Sequence, residues 1–568
     1  LSESQPLQDI LNDPATVDFV VRGGEEIIKF LESDPDIVAT QVLAGRYVVC
    51  YTSSSHFPTI IKQLGTSYLS SLSIVLGLLD RPSLGASGIL KIQQQPYLNL
   101  TGRGVLVGFV DTGIDYTQKV FRYEDGSSKI QYIYDQSSSG QAPEGFYIGT
   151  EYTNAQINQA LLSQDPYQIV PQRDTDGHGT FLASLAAGRE TDDFIGAAPN
   201  AELIVVKLRK ARPFYLSLFA VPEKQENVFG STAVMIGVEY IIKKAQELKR
   251  PVVICLGIGS NLGSHDGFSI FEEYLSETAN LMGICLCIAA GNESQARHHT
   301  MTMISAKGST QNIDVKVTEE SSSIFISLWS TVSDKISVSI RSPTGELVER
   351  QPPVSDSITL SRLVFEPSVI RVAYYFPLEG SGGQLTTVRV ENATPGIWTI
   401  IVHGDIILNG AVHAWLPLSG LTWPGVEFLT PNPYYTVTVP STATGCICCG
   451  AYNFTNNSLY ANSSWGPTRM ERLVPHLVAP GVNIGGIYPT GYGTMSGTSA
   501  AAAITAGACA LMLDWGVVQG NDTAISTHQI RAYLIRGCSR SPNMTYPNTQ
   551  WGYGSLDLME TFNLMRET

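Results

Sequence analysis

Three short segments of this chain hold side chains able to move a proton or attack a carbonyl. Asp111 closes the apolar run Val107-Gly-Phe-Val110 and is followed by Thr112-Gly113. The run reads as a strand delivering a carboxylate at its carboxyl end, where open α/β sheets bind ligands; a turn or helix cap uses the same residues. His178 lies in Asp174-Thr-Asp-Gly-His-Gly-Thr180, at the head of a small-residue helix over Phe181 to Gly188. Glycines on both sides free the backbone to bring the imidazole close to a partner, although a lone histidine also serves structure alone. Ser499 ends Tyr492-Gly-Thr-Met-Ser-Gly-Thr-Ser499, ahead of an alanine-rich helix. Backbone N–H groups and the positive dipole end there favour a developing oxyanion, and an ordinary Ser or Thr N-cap gives the same pattern. Carboxylate, imidazole and hydroxyl are the groups of acid–base and nucleophilic catalysis.

The segments around them alternate strand and helix. Val105–Val110, Leu203–Leu208, Val252–Leu256 and Ile284–Ile288 read as near-continuous apolar strands, with helical periodicity over Thr232–Leu248 and Phe268–Leu281. That pattern predicts a parallel sheet covered on both faces. From about Met303 to Leu429 the texture changes to short alternating runs such as Ile324–Trp329, Ile336–Ile340 and Trp398–Val402, broken by turn signals like Ser342-Pro-Thr-Gly345. This predicts an all-β module. Helical pattern resumes over Ala500–Trp515 and Thr527–Ile535, so the β module interrupts the α/β unit. Within the first 80 residues, Glu25–Glu32 and Phe57–Leu64 read as helices and Arg46–Tyr51 as a strand, a small α+β unit. There are no internal repeats and no long charge runs.

At 568 residues the chain is long enough for three or four domains. Its 43% apolar and 15% charged composition excludes disorder, and 52 Gly with 30 Pro exclude a collagen-like or low-complexity chain. The net charge of −15 has the wrong sign for tracking phosphates, which argues against nucleic acid and anionic membranes as partners. No apolar run is expected to reach the roughly 18 to 20 residues that span a bilayer, so the chain reads as soluble with no membrane span. Its start, Leu1-Ser-Glu-Ser-Gln5, shows no basic-then-apolar leader pattern, and export cannot be read from it. The nine cysteines are mostly embedded in apolar runs and read as small buried hydrophobes of a reducing compartment. Cys446-Ile-Cys-Cys449 lacks a second Cys/His pair at zinc spacing, so no metal site is expected.

Asp-Thr-Gly at 111–113, Gly-His-Gly-Thr at 177–180 and Gly-Thr-Ser at 497–499 resemble the three signatures of subtilisin-like serine proteases. The chain order Asp, His, Ser is the subtilisin order among convergent triads. Ala289-Ala-Gly-Asn-Glu293 resembles the segment that carries the family's oxyanion-hole amide, here Asn292. The resemblance covers about residues 81–303 and 432–568. It implies that Ser499 attacks a peptide carbonyl, His178 takes and returns the proton, and Asp111 fixes the imidazole. It also implies that Asn292 and the Ser499 N–H hold the oxyanion. Cys255-Leu-Gly257 stands where the family usually has Ser-Leu-Gly. The substrate edges implied are Leu256, Gly257 and Gly259 on one side and Val206-Lys-Leu-Arg209, hence Lys207 and Leu208, on the other, with peptide added as a strand.

After Gly-Thr-Ser most subtilisins read Met-Ala-(Ser/Thr)-Pro-His, whereas here Ala500-Ala-Ala-Ala-Ile-Thr-Ala506 follows. With the inserted β module, this variant resembles the clostridial germination-specific Csp subgroup. That subgroup inserts a jelly roll in the protease domain, can retain its cleaved prodomain, and processes the precursor of a spore cortex hydrolase; some members lack triad residues. The implied organisation is a prodomain over 1–80, a subtilase domain over 81–303 and 432–568, and a jelly roll over 304–431. The expected fold is α/β, a parallel sheet flanked by helices, with the N-terminal α+β unit and the β insert. Self-cleavage is expected within about Leu76 to Pro82, though not just before Pro82, whose imino nitrogen fits a leaving-group site poorly. The expected function is a serine endopeptidase that processes its own prodomain and a limited set of protein substrates, without cofactors. The alternative is a silent sensor or binding protein on a protease scaffold. A spore-associated or intracellular location is favoured, with secretion open. Trp329, Trp398 and Trp415 read as core rather than sugar-stacking residues, and His298-His299 as a loop.

Overall fold

The computed structural model describes residues 11, 13–64, 71–78, 87–95, 98, 100–319, 322–355 and 357–566. Its centre is a nine-stranded sheet. Seven strands run parallel, across the sheet Leu477–Pro480, Ile447–Asn453, Ile284–Ala289, Val252–Leu256, Leu106–Asp111, Glu202–Lys207 and Ile130–Asp135. Short antiparallel strands Ser458–Leu459 and Thr150–Thr153 complete the two sides. The runs are apolar at nearly every position because both faces are covered. Val107, Phe109, Val253, Cys255, Cys285 and Cys287 face one apolar layer, and Leu106, Val110, Ile254, Leu256, Leu286 and Ile288 face the other. The first layer takes the helices His178–Ala187 and Thr498–Leu513, the second Ser231–Leu248 and Ile270–Thr278.

The helix Thr498–Leu513 has small residues along its length and is buried at every position. Small side chains let it lie close to the strands, and the cysteines beneath it follow the same logic. Cys287 and Cys509 bring their sulfurs to 3.5 Å, and with Cys285 they form a buried trio. All nine cysteines are buried free thiols. The expectation that no apolar run reaches membrane-spanning length needs correction. The continuous helical stretch Thr498–Val518 is long and apolar enough to cross a bilayer, with hydropathy 1.7, and 83% of its 18-residue apolar window is buried in the protein. Alanine, Gly507 and the two buried threonines made it read as a modest helix rather than an apolar run.

Between residues 299 and 428 two antiparallel sheets pack face to face. One has six strands in the order His299–Met303, Ala411–Trp415, Ser322–Ser330, Gln384–Ala393, Val369–Tyr375, Ser357–Arg362. The other has five, Leu347–Val348, Lys335–Arg341, Gly396–Ile406, Thr310–Val317, Glu427–Phe428. Period-two burial is plain along Gly396–Ile406. Trp398 and Trp415 are fully buried and Trp329 nearly so, as core residues. His299 is not in a loop: it begins the first strand, pairs with Trp415 in register, and sets Nε2 3.2 Å from His413 Nδ1. An apolar seam selects a strand for His299 where the His-His pair suggested a loop.

Burial holds the imidazoles of His299 and His413 in this sandwich, and of His476 beside the central sheet, neutral. His299 and His476 are pushed down to about 3, and His413 well below its ordinary value, desolvation being the main cause in each. His476 accepts the Cys448 N–H at Nδ1, which requires the neutral ring. The unfolded chain protonates these rings near pH 6.5, so their contribution to stability is complete above that pH and is lost as pH falls towards 3. Each removes about 1.4 kcal/mol per pH unit below about 6. Buried Glu272, pushed up to about 7 by desolvation, opposes them, and so does Asp514, which burial also raises. The urea midpoint is expected to be lower at pH 5 than at pH 7, and His476→Asn to narrow the gap; equal midpoints would refute this account.

The N-terminal unit is a three-stranded antiparallel sheet, Thr16–Arg22, Tyr47–Ser53, Ile37–Leu43, with helices Glu25–Ser33 and Phe57–Leu64. It docks on the helices of the central sheet. Arg212 Nε donates to Asp18 Oδ1 at 2.5 Å, Arg22 pairs with Glu273 at 2.5 Å, and Tyr47 meets Tyr274 edge-on at 5.5 Å. Asp18 is buried, and although desolvation works against its charge, Arg212 and Arg209 hold its carboxyl below the usual range.

Candidate active site

Asp111 ends its strand in the middle of the sheet, and the backbone then turns at Gly113 towards the His178 helix. That helix is seated by acidic and hydroxyl groups at its amino end. Asp174 accepts from the N–H of Gly177 and of Thr180, each at 2.8 Å, and Thr112 Oγ1 accepts from Gly179 N at 2.9 Å. A Cβ on Gly179 would lie 2.2 Å from the Gly113 carbonyl oxygen, so only glycine lets the helix start so near the strand end. The result is a bond of 2.7 Å between His178 Nδ1 and Asp111 Oδ1, with Thr112 N donating to the same oxygen at 2.8 Å. His178 Nε2 stands 3.3 Å from Ser499 Oγ. The three expected residues, far apart in sequence, are brought together.

Ser499 is the second residue of its helix, whose amino end is fixed from the neighbouring strand. Gly291 N donates to Thr498 Oγ1 at 3.0 Å, and Thr498 N donates to Asn292 Oδ1 at 3.1 Å. Because that bond commits Oδ1 as acceptor, the amide presents Nδ2 as its donor end. Gly257 closes the site from the side of the Val252–Leu256 strand: a Cβ there would lie 3.0 Å from His178 Cε1 and 3.1 Å from Ser499 Cβ. Leu256, at the end of that strand, is fully buried in the core.

The cleft is filled by the protein itself. Val75–Leu78 forms the middle strand of a three-stranded antiparallel sheet. Leu78 pairs with Ile258 and Gly77 with Gly259 on one side; Leu76 pairs with Phe229 and Val75 with Gly230 on the other. Asp111, His178 and Ser499 are each at most 1% exposed. The strand Val75–Leu78 pairs with Gly259 on one side, and on the other with Phe229 and Gly230 rather than with Lys207 or Leu208. Lys207 and Leu208 belong to the central sheet: Lys207 pairs in register with Asp111 and donates Nζ to Arg173 O, and Leu208 N donates to Asp111 O. The excursion 209–228, with its own helix Pro213–Leu218, leads away before the backbone returns as Phe229–Gly230. The available signal was position, since Phe229-Gly230 directly precedes the long helix Ser231–Leu248.

A central parallel sheet with this hydroxyl, imidazole and carboxylate at its carboxyl end is an arrangement able to carry serine hydrolase chemistry of the subtilisin type. The chain belongs to the subtilase family, whose model matches residues 102–344 and 428–554 and breaks within the β sandwich. Among solved structures it is similar to the CspB protease of Clostridium perfringens, with 33% identity and a TM-score of 0.74 over 85% of this chain and 98% of that one. It is 22% identical to a PII-type proteinase of Lacticaseibacillus paracasei over 72% of this chain and 22% of that protein. It is 29% identical to the subtilisin-like protease SBT2.2 of Arabidopsis thaliana over 19% of this chain and 15% of that protein. The matched region spans about a fifth or less of the length of these two curated relatives.

Proposed function

We propose that this protein is a serine endopeptidase that first cuts itself on the carboxyl side of Leu78 and then cuts a limited set of protein substrates, such as a spore cortex hydrolase precursor. Ser499 Oγ attacks the carbonyl, His178 Nε2 takes the proton and returns it to the leaving amine, and Asp111 holds the tautomer and the cation that forms. Asn292 Nδ2 and the Ser499 N–H receive the oxyanion. The observation that carries the reading is the strand Val75–Leu78, seated antiparallel between both cleft edges beside the 3.3 Å His178–Ser499 pair. A segment held by main-chain pairing is presented as a substrate is. The domain limits 1–80 and 304–431 fit this scheme, with the N-terminal unit as a prodomain that stays docked through Asp18–Arg212 after the cut. The likeness to the CspB protease of Clostridium perfringens supports the Csp resemblance from which the spore substrate is drawn.

Intact mass spectrometry of the purified protein tests the proposal. Two fragments split between Leu78 and Pro82 are expected. A single uncut species would overturn it in favour of a silent scaffold. Asn292→Ala is expected to slow cutting about 100-fold or more by removing one oxyanion donor. A time course of fragment appearance checks this, and an unchanged rate would remove Asn292 from the site.

A further inference from the structure

The inserted β sandwich reaches the cleft. Leu418 and Leu421, buried in the loop after the strand Ala411–Trp415, share an apolar cluster with Val75. Along the cleft strand side chains alternate, so Val75 and Gly77 face this loop while Leu76 is buried among Phe229, Leu256 and Ile258 on the other side. A Cβ added to Gly77 would lie 3.0 Å from Leu418 Cδ2 and 3.8 Å from Leu421 Cγ. The loop is tied to both rims of the cleft and has little room to recede. Ser419 N donates to Glu293 Oε1 at 3.2 Å, immediately after Asn292, while Gln225 Nε2 donates to Gly420 O at 2.5 Å and Trp423 Nε1 to Ala220 O at 2.9 Å. Glu293 itself is buried; against desolvation, His298, Ser419 and Asn261 hold its carboxyl below the usual range.

We infer that the inserted domain selects substrates: the Leu418–Leu421 loop walls one subsite so that glycine is required where Gly77 lies, after a large aliphatic residue where Leu76 lies. The substrate class is then an extended protein segment carrying aliphatic–Gly ahead of the cut. This rests on the proteolytic reading above and adds a specificity that the protease domain alone does not supply. A valine in that subsite needs the volume that Leu418 fills, so trimming Leu418 is the complementary change.

The test compares the parent protein with Gly77→Val, Leu418→Ala and the double variant, following self-cleavage by intact mass over time. Gly77→Val is expected to slow the cut about tenfold or more, and the double variant to return to within about threefold of the parent. Equal rates for the parent and Gly77→Val, or a double variant as slow as Gly77→Val, would overturn the inference while leaving proteolysis standing. The same four forms in a Ser499→Ala background give a readout that needs no activity. Amide hydrogen exchange at residues 75–78 should rise with Gly77→Val and fall back when Leu418→Ala is added, with the strand Tyr47–Ser53 unchanged as the sign of an intact fold. If the parent remains uncut, the proteolytic reading fails, and the exchange comparison still decides whether the wall exists.

Discussion

Replacing Ser499 by alanine is expected to leave the protein whole under conditions in which the parent falls into two fragments, a loss of cutting on the order of 10⁶-fold. The magnitude follows from the arrangement. Ser499 Oγ is the hydroxyl that His178 Nε2 faces at 3.3 Å, and Ala500 to Ala503 beside it carry no nucleophile. What remains is the polarising effect of Asn292 and the helix amino end, worth a small part of the total. Alanine fits the space of a buried serine, so the melting temperature should stay close to that of the parent. Fragments of the same mass from the variant would mean that another protease makes the cut.

Asp111→Asn is expected to slow self-cleavage about 10⁴-fold without removing any atom from the packing. Asp111 Oδ1 accepts from both Thr112 N at 2.8 Å and His178 Nδ1 at 2.7 Å. An asparagine that keeps its oxygen there still accepts from both donors, but as a neutral and therefore weaker acceptor. Turned the other way, its NH₂ faces Nδ1 and stabilises the tautomer with the proton on Nε2, where the base should be. In either pose the cation formed on His178 loses its counter-charge. The time course of fragment appearance measures the effect. A rate within tenfold of the parent would show that Asp111 serves only as a turn residue.

The triad was legible because each member lies in a short local pattern whose geometry is set nearby: Asp111 by its strand, His178 by the glycines around it, Ser499 by its helix. The central strands were legible to within a residue or two, since two covered faces leave runs such as Val252–Leu256 apolar throughout. The Phe229–Gly230 edge was not, because a two-residue strand at the end of a long excursion has no periodicity to read. The wall at Leu418 and Leu421 was equally hidden. Those leucines lie far from Gly77 in sequence, and only the closed fold brings the three together. His299 misled for the opposite reason: its type suggested a loop, but the strand it joins is chosen by Trp415 and its neighbours.

The active constellation is divided along the sequence. Asp111, His178 and Asn292 all precede the β sandwich, whereas Ser499 follows it, and its helix packs against strands from both sides of the insertion. Synthesis runs from the amino end at about 5–20 residues per second. A ribosome therefore makes the strand Val75–Leu78, the N-terminal unit and most of the sheet before the Ser499 hydroxyl. The serine is made only after these segments and the β sandwich have been translated. The order of the chain thus acts as a clock, in which the carboxylate, imidazole and amide are laid down first and the hydroxyl last.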